Sequence, residues 1–151
     1  MRNSKQLAVS LTRRHGTCNP FTICQDLGYI ILFKPLGTVR GLYRFVHRCH
    51  IIYINDELDE QSAKFVCAHE LGHSLLHKGF NRVFMDVHTH MITSRFETEA
   101  DRFAVDLLFD DCTLQSYLEY PIAKAAEHMG ISHELARYRM STVQPVLFSD
   151  Y

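Results

Sequence analysis

Phe65–His77 reads FVCAHELGHSLLH, three histidines and a glutamate in an otherwise apolar run, and its reading decides the fold. On a helix, positions four apart differ by about 40° in azimuth and about 6 Å along the axis, so His69 and His73 point the same way. Two imidazoles so placed can grip one tetrahedral metal. Glu70, beside the first of them, can reach a metal-bound water without being a ligand itself, which is the general-base arrangement of HExxH. His77 continues the series at i+8, but a straight helix carries it about 12 Å from His69, too far to share a metal with bonds near 2 Å. It is expected to be a packing or outer-layer histidine. Gly72 in mid-helix costs about 1 kcal/mol against alanine and points to close backbone packing or to substrate approach.

With 10 histidines in the chain, random placement yields HExxH with a probability of roughly 3%, so the motif needs a third ligand before it means a metal site. Glu97 is the preferred candidate. It opens ETEADRFAVDLLF (97–109), where Ala100, Phe103, Ala104, Leu107 and Leu108 fall at i, i+3, i+4, i+7 and i+8 of an amphipathic helix. Asp101, one turn on, is placed to accept a hydrogen bond from a ligand imidazole and fix its tautomer. Glu99 competes for the ligand role but, two residues from Glu97, faces elsewhere on the helix. Two imidazoles, a carboxylate and one open position favour Zn2+, with Mn2+ and Fe2+ as alternatives. The oxyanion-stabilising group is not singled out; His47, His50, His88, His90, Arg95 and Tyr43 are the candidates.

Around these two helices the chain reads as a mixture of helix and strand. Residues 2–14 form a short amphipathic helix ending near Gly16, and FTICQDLG (21–28) forms a second after Asn19-Pro20. The apolar run YIILFKPLG (29–37) reads as a strand buried on both faces, and Gly41–His47 and Cys49–Ile54 follow as further strands of a meander. Asn55-Asp56-Glu57 introduces the HExxH helix, which spans about Leu58 to His77. Residues 80–94 show no period and read as a loop or irregular edge strand. Two helical pieces, Pro121–Gly130 and Ser132–Met140, close the chain. The fold class is α+β, a small mixed or antiparallel sheet packed against the HExxH helix and followed by a helical C-terminal region.

At 151 residues with 46% hydrophobic and 22% charged content, the chain has the size and composition of one globular domain. It is expected to be a single domain, 1–151, with a core over about 18–112 and the helical region over 113–151. A formal net charge of -1 provides no global positive field for nucleic acid. No signal-like or membrane-spanning run occurs, and a cytoplasmic location is expected. The five cysteines contain no CxxC pair, which argues against a disulfide framework or a thiolate zinc site. Cys67, two residues before His69, is expected to be a buried structural thiol rather than a redox centre.

With AHELGH followed by E-x-x-A-D-x-F-A-x-x-L-L, the chain resembles the ImmA/IrrE family of metallopeptidases. NPFTICQDLG, YIILFKPL, GLYRF and IIYIN extend the resemblance over roughly residues 18–140. It implies a zincin-like domain in which His69, His73 and Glu97 hold zinc and Glu70 is the catalytic residue. It further implies the short form found on phages and mobile elements, whose members relieve repression by cutting a helix-turn-helix repressor, so a protein substrate is expected. Asp110 stands where the family usually has a proline.

Two other classes of function compete with this reading. PIAKAAEHMGISHELARYRMS (121–141) has Ala126, Gly130 and Ala136 near helix-turn-helix positions, and Lys124, Arg137 and Arg139 could meet phosphates. The metal site would then be structural and the protein a DNA-binding or repressor-binding regulator. The few basic residues on the presumed recognition helix weigh against direct nucleic-acid binding. An inert adaptor that titrates a repressor without cutting it would differ from the protease only in its indifference to Glu70.

Overall fold

The structure, a computed structural model, describes residues 3–78 and 90–145, with 90–93 described as backbone. Its contacts divide the chain into two compact units, Met1–Leu108 and Phe109–Tyr151.

In the first unit the elements are α1 (Ser4–His15), α2 (Pro20–Asp26), β1 (Ile30–Lys34), β2 (Gly41–Val46), β3 (Cys49–Asn55), α3 (Glu60–Leu76) and α4 (His90–Leu108). Local chemistry sets the helix ends. The side chains of Asn3, Asn19 and Asp59 accept from backbone N–H groups of the first turns of α1, α2 and α3, and Gly16 closes α1 in the left-handed conformation at φ 68°. The two-residue turn His47-Arg48, both at positive φ, has the twist that joins β2 to β3 as a tight hairpin.

The sheet has the order β1-β3-β2. β3 pairs in parallel with β1, from Ile30↔Ile51 to Lys34↔Asn55, and antiparallel with β2, from Gly41↔Ile54 to Val46↔Cys49. The sheet is therefore mixed, and β1 joins β3 rather than continuing a meander. The expectation that the YIILF strand is buried on both faces is corrected. As an edge strand β1 has one partner, and Ile30 and Phe33 are 43% and 53% exposed. The sequence signal was an apolar run, which an edge strand also carries when a helix shields part of it; here Phe21 of α2 lies 6.0 Å from Phe33, ring to ring. Ile52 and Ile54 of β3 are the residues that enter the core.

α3 is buried along most of its length, from Ala63 through Ser74, between the sheet and α4. Two glycines permit this. A Cβ on Gly41, the first residue of β2, would fall 2.2 Å from Val66 Cγ1 and 3.5 Å from Glu70 Cγ. A Cβ on Gly72 would fall 2.8 Å from Phe103 Cδ1 and 3.4 Å from the Ala100 Cα. α4 begins at His90, earlier than the helix start read at Glu97; of the segment expected as loop or edge strand, 90–94 is helical and 80–89 lies outside the described residues. Helical spacing is in fact present there, since Ile92 and Phe96 fall at i and i+4 and run on in register to Ala100 and Phe103, but two apolar positions alone do not mark a helix start. Cys24 and Cys67 meet in the core with Sγ atoms 3.8 Å apart. Hydrogen bonding with the Cys24 thiol, together with burial, pushes the Cys67 thiol far above its usual range, so it stays protonated and unreactive.

The second unit contains α5 (Asp111–Leu114), a 3-10 turn, α6 (Ile122–Met129) and α7 (His133–Ser141) around Leu114, Ala126, Met129, Ala136 and Met140. Arg139 is 1% exposed, donates to the Phe109 carbonyl and is ion-paired with Asp111 at 2.7 Å. It is therefore a buried internal strut rather than the phosphate contact the sequence allowed, and Lys124 lies 5.9 Å from the Tyr120 ring. Among the described residues no helix is long and apolar enough to cross a membrane.

The close approach at Gly72 predicts that Gly72→Ala destabilises the protein by about 1–3 kcal/mol, overpacking outweighing the roughly 1 kcal/mol gained in helix propensity. Urea unfolding monitored by circular dichroism checks it; a stabilised variant would contradict the packing.

Candidate metal centre

α3 and α4 pack closely against each other, with Gly72 under Phe103 and Ala100. His69 and His73, one turn apart on α3, meet Glu97 on α4. His73 Nε2 lies 3.0 Å from Glu97 Oε1 and 3.1 Å from His69 Nε2, and His69 Nε2 lies 3.1 Å from Glu97 Oε2. Donors bound to one tetrahedral zinc at about 2.0–2.1 Å stand about 3.3 Å apart, and the two imidazoles stand near that distance from each other and each from one of the two Glu97 oxygens. Among the described residues these three are the ones grouped closely enough to hold a metal.

Glu70 stands one residue from His69 and is 4% exposed. Its Oε2 is buried without a hydrogen-bond partner among the described residues. A carboxylate oxygen in that condition is costly unless a donor such as a polarised water completes it. His69, Glu70, Glu97 and Asp101 line one cleft of about 270 Å³ together with Arg40 and Phe65. The donor set, its spacing and the orphaned oxygen therefore fit a metal that keeps one position for water.

The electrostatics follow from the crowding of carboxylates and imidazoles. Burial works against a charged His69, but its hydrogen bonds to Asp101 and Glu97 outweigh that and push it up to about 9. Glu97 is held far below the usual carboxylate range by its hydrogen bonds with His69 and His73. The site thus draws positive charge, and a proton on His69 supplies it when nothing else does.

An outer layer surrounds the triangle. Asp101 Oδ1 lies 2.8 Å from His69 Nδ1. His77 Nδ1 lies 3.0 Å from His73 Nδ1, and its Nε2 lies 2.9 Å from Glu99 Oε2. Arg95 Nε donates to Glu99 Oε1 at 3.0 Å, and Phe96 stacks on the His77 ring at 4.1 Å. Burial lowers the His77 pKa below its ordinary value and so favours the neutral ring. Glu99 turns away from the triangle, as its spacing from Glu97 requires, but toward His77, a pairing sequence reasoning missed. The signal was present in a second i, i+4 histidine step, His73 to His77.

Of the candidate oxyanion groups, Arg95 is tied to Glu99, His47 lies in the exposed hairpin turn, and Tyr43 bonds His50 Nδ1 at 2.6 Å. His50 stacks in turn on Tyr29 at 4.5 Å, and Tyr29 pairs with Ser74. The side chains of His88 and His90 lie outside the described residues. Arg40, which the sequence did not mark, lines the cleft; it sits in a loop fixed by Asn55 Nδ2, which donates to the carbonyls of Gly37 and Val39 at 3.0 Å.

Comparison with known proteins agrees with this geometry. Residues 24–141 match the peptidase family described as the IrrE N-terminal-like domain. The chain is 32% identical over 138 residues to immunity region protein 2 of Bacillus phage phi105, covering 89% of this chain and 87% of that one. It is 34% identical over 118 residues to metallopeptidase ImmA of Bacillus subtilis strain 168, covering 77% of this chain and 69% of that one. With HELGH on a buried helix and a carboxylate brought to it by a second, the chain belongs to the IrrE N-terminal-like domain family and is a metallopeptidase.

Proposed function

We propose that His69, His73 and Glu97 hold Zn2+, that Glu70 is the catalytic general base, and that the substrate is a helix-turn-helix repressor of a phage or mobile element, cut in the cytoplasm to relieve repression. The observation that carries the metal and catalytic assignments is the triangle of donors 3.0–3.1 Å apart with the unpartnered Glu70 Oε2 at the same cleft. Zinc held by these residues would supply Lewis acidity, polarising a peptide carbonyl and lowering the pKa of a bound water to about 7, and Mn2+ and Fe2+ would accept the same donors. Glu70 Oε2 takes the proton of the attacking water and delivers it to the leaving amine. Asp101 keeps the His69 proton on Nδ1, leaving Nε2 free to bind. The repressor assignment rests on the likeness to metallopeptidase ImmA and to a phage immunity-region protein.

The protein is incubated with the helix-turn-helix repressor encoded beside it, with and without chelator, and fragments are read by mass. Zinc-dependent cleavage is expected, and Glu70→Gln is expected to bind zinc and repressor as the parent does while losing 10²-fold or more of the cleavage rate. Release of repression by Glu70→Gln at the parental level would refute proteolysis as the mechanism.

A pH dependence follows from the same charges. His69 titrates at about 9 in the folded chain against about 6.5 in an unfolded one. With metal removed, the stabilisation from its proton is complete below about pH 6.5 and lost as pH rises to about 9. Glu97, depressed on folding, contributes stability that is complete above about pH 4.5 and lost as pH falls. Thermal unfolding of chelator-treated protein is expected to show its highest Tm between about pH 5 and 6.5 and a decline toward pH 9 that saturating zinc removes. A flat profile over that range would contradict the charge assignment.

A further inference from the structure

Beyond the donor triangle a line of hydrogen bonds runs from Arg95 through Glu99 and His77 to His73. The spacings are 3.0 Å from Arg95 Nε to Glu99 Oε1, 2.9 Å from Glu99 Oε2 to His77 Nε2, and 3.0 Å from His77 Nδ1 to His73 Nδ1. We infer that His77, held by Glu99, is the positioning residue that fixes the tautomer and ring plane of His73 toward the metal. The inference rests on the metal reading given above.

A carboxylate ion only accepts, so Glu99 requires the hydrogen of His77 on Nε2. A neutral imidazole has one N–H, and His77 Nδ1 is then an acceptor. Two ring nitrogens 3.0 Å apart need one proton between them, and it must belong to His73 Nδ1. A neutral His73 is thereby left with a bare Nε2 beside Glu97 Oε1 and His69 Nε2, a set of acceptors that a cation between them would complete, whereas among the described residues no cation site lies between His77 and Glu99. The reverse assignment would put the bare Nε2 of His77 2.9 Å from a carboxylate oxygen, two acceptors without a hydrogen. Phe96, stacked 4.1 Å from the His77 ring at 20°, and Arg95 on the far oxygen of Glu99 hold the parts in line.

The two candidate ligands are thus oriented differently. His69 meets the carboxylate of Asp101 directly, whereas His73 meets the carboxylate of Glu99 through the interposed imidazole of His77. Outer partners of ligand histidines change metal affinity about 10–100-fold when removed.

The test measures zinc affinity by competition with a chromophoric chelator for the parent, His77→Phe, His77→Asn and His77→Gln. Phenylalanine keeps the ring volume and the stack on Phe96 but offers no acceptor. Asparagine can place an amide oxygen where Nδ1 stands, and glutamine reaches only the Nε2 position. Affinity is expected to fall about 10–100-fold in His77→Phe and His77→Gln and to stay within a few-fold of the parent in His77→Asn. A residue that only fills space would give the opposite order, with phenylalanine best, and that result overturns the inference. Should His77→Phe fail to fold, the zinc-loaded parent still decides: long-range 1H–15N NMR correlations are expected to show His77 as the Nε2–H tautomer, and an Nδ1–H tautomer refutes it. A parent that binds no zinc sinks the metal assignment itself, and this inference with it.

Discussion

Two helices can share one cation only if their backbones come close enough for side chains of ordinary length to converge, and in this protein that closeness is set at Gly72. The missing Cβ leaves room for Phe103 and the Ala100 backbone against α3. His69 and His73 on one side and Glu97 on the other then face each other across a short gap. A larger residue at the contact would push α4 outward and stretch a triangle whose sides are 3.0–3.1 Å. The conformational cost of a mid-helix glycine, about 1 kcal/mol, is small beside what the shared site gains.

Burial gives the site its electrical character. α3 is enclosed so fully that Glu70 and His73 sit among apolar side chains, where each polar atom needs a partner. Asp101, Glu99 and His77 satisfy outward-facing nitrogens, so the inward-facing atoms are left as a concentrated set of lone pairs. A proton on His69 or a divalent cation can answer that concentration, and the two compete. At this cleft Glu70 Oε2 is a buried oxygen without a hydrogen-bond partner among the described residues, which fits the role of base proposed for it.

The extent to which this was legible in the sequence depends on whether a feature is periodic. His69, Glu70 and His73 can be read because the helix period puts them on one face, and Glu97 with Asp101 because a second amphipathic helix opens there. The sheet's strands are legible from β-branched runs, but pairing is not: nothing in YIILF says that β1 would lie at an edge beside β3. The link from His77 to Glu99 is also hidden, since it depends on how far α4 is rotated about its axis against α3. Arg40 is hidden for another reason. Its place comes from a loop fixed by Asn55, eighteen residues beyond Gly37 in sequence, and no local pattern marks such a tie. Likewise Arg139 reads as a surface cation until its partners Phe109 and Asp111 are seen.

The strand β2 is anchored unequally. Its first residue, Gly41, is pressed under Val66 and Glu70, while Phe45 is 59% exposed and the hairpin turn beyond it is open to solvent. The same short strand is therefore packed against the candidate site at one end and exposed at the other. Sequence drift should run along it as a gradient, nearly frozen where the backbone touches the helix and permissive within six residues. Change at the outer end of the strand would then leave the packing beside Glu70 undisturbed.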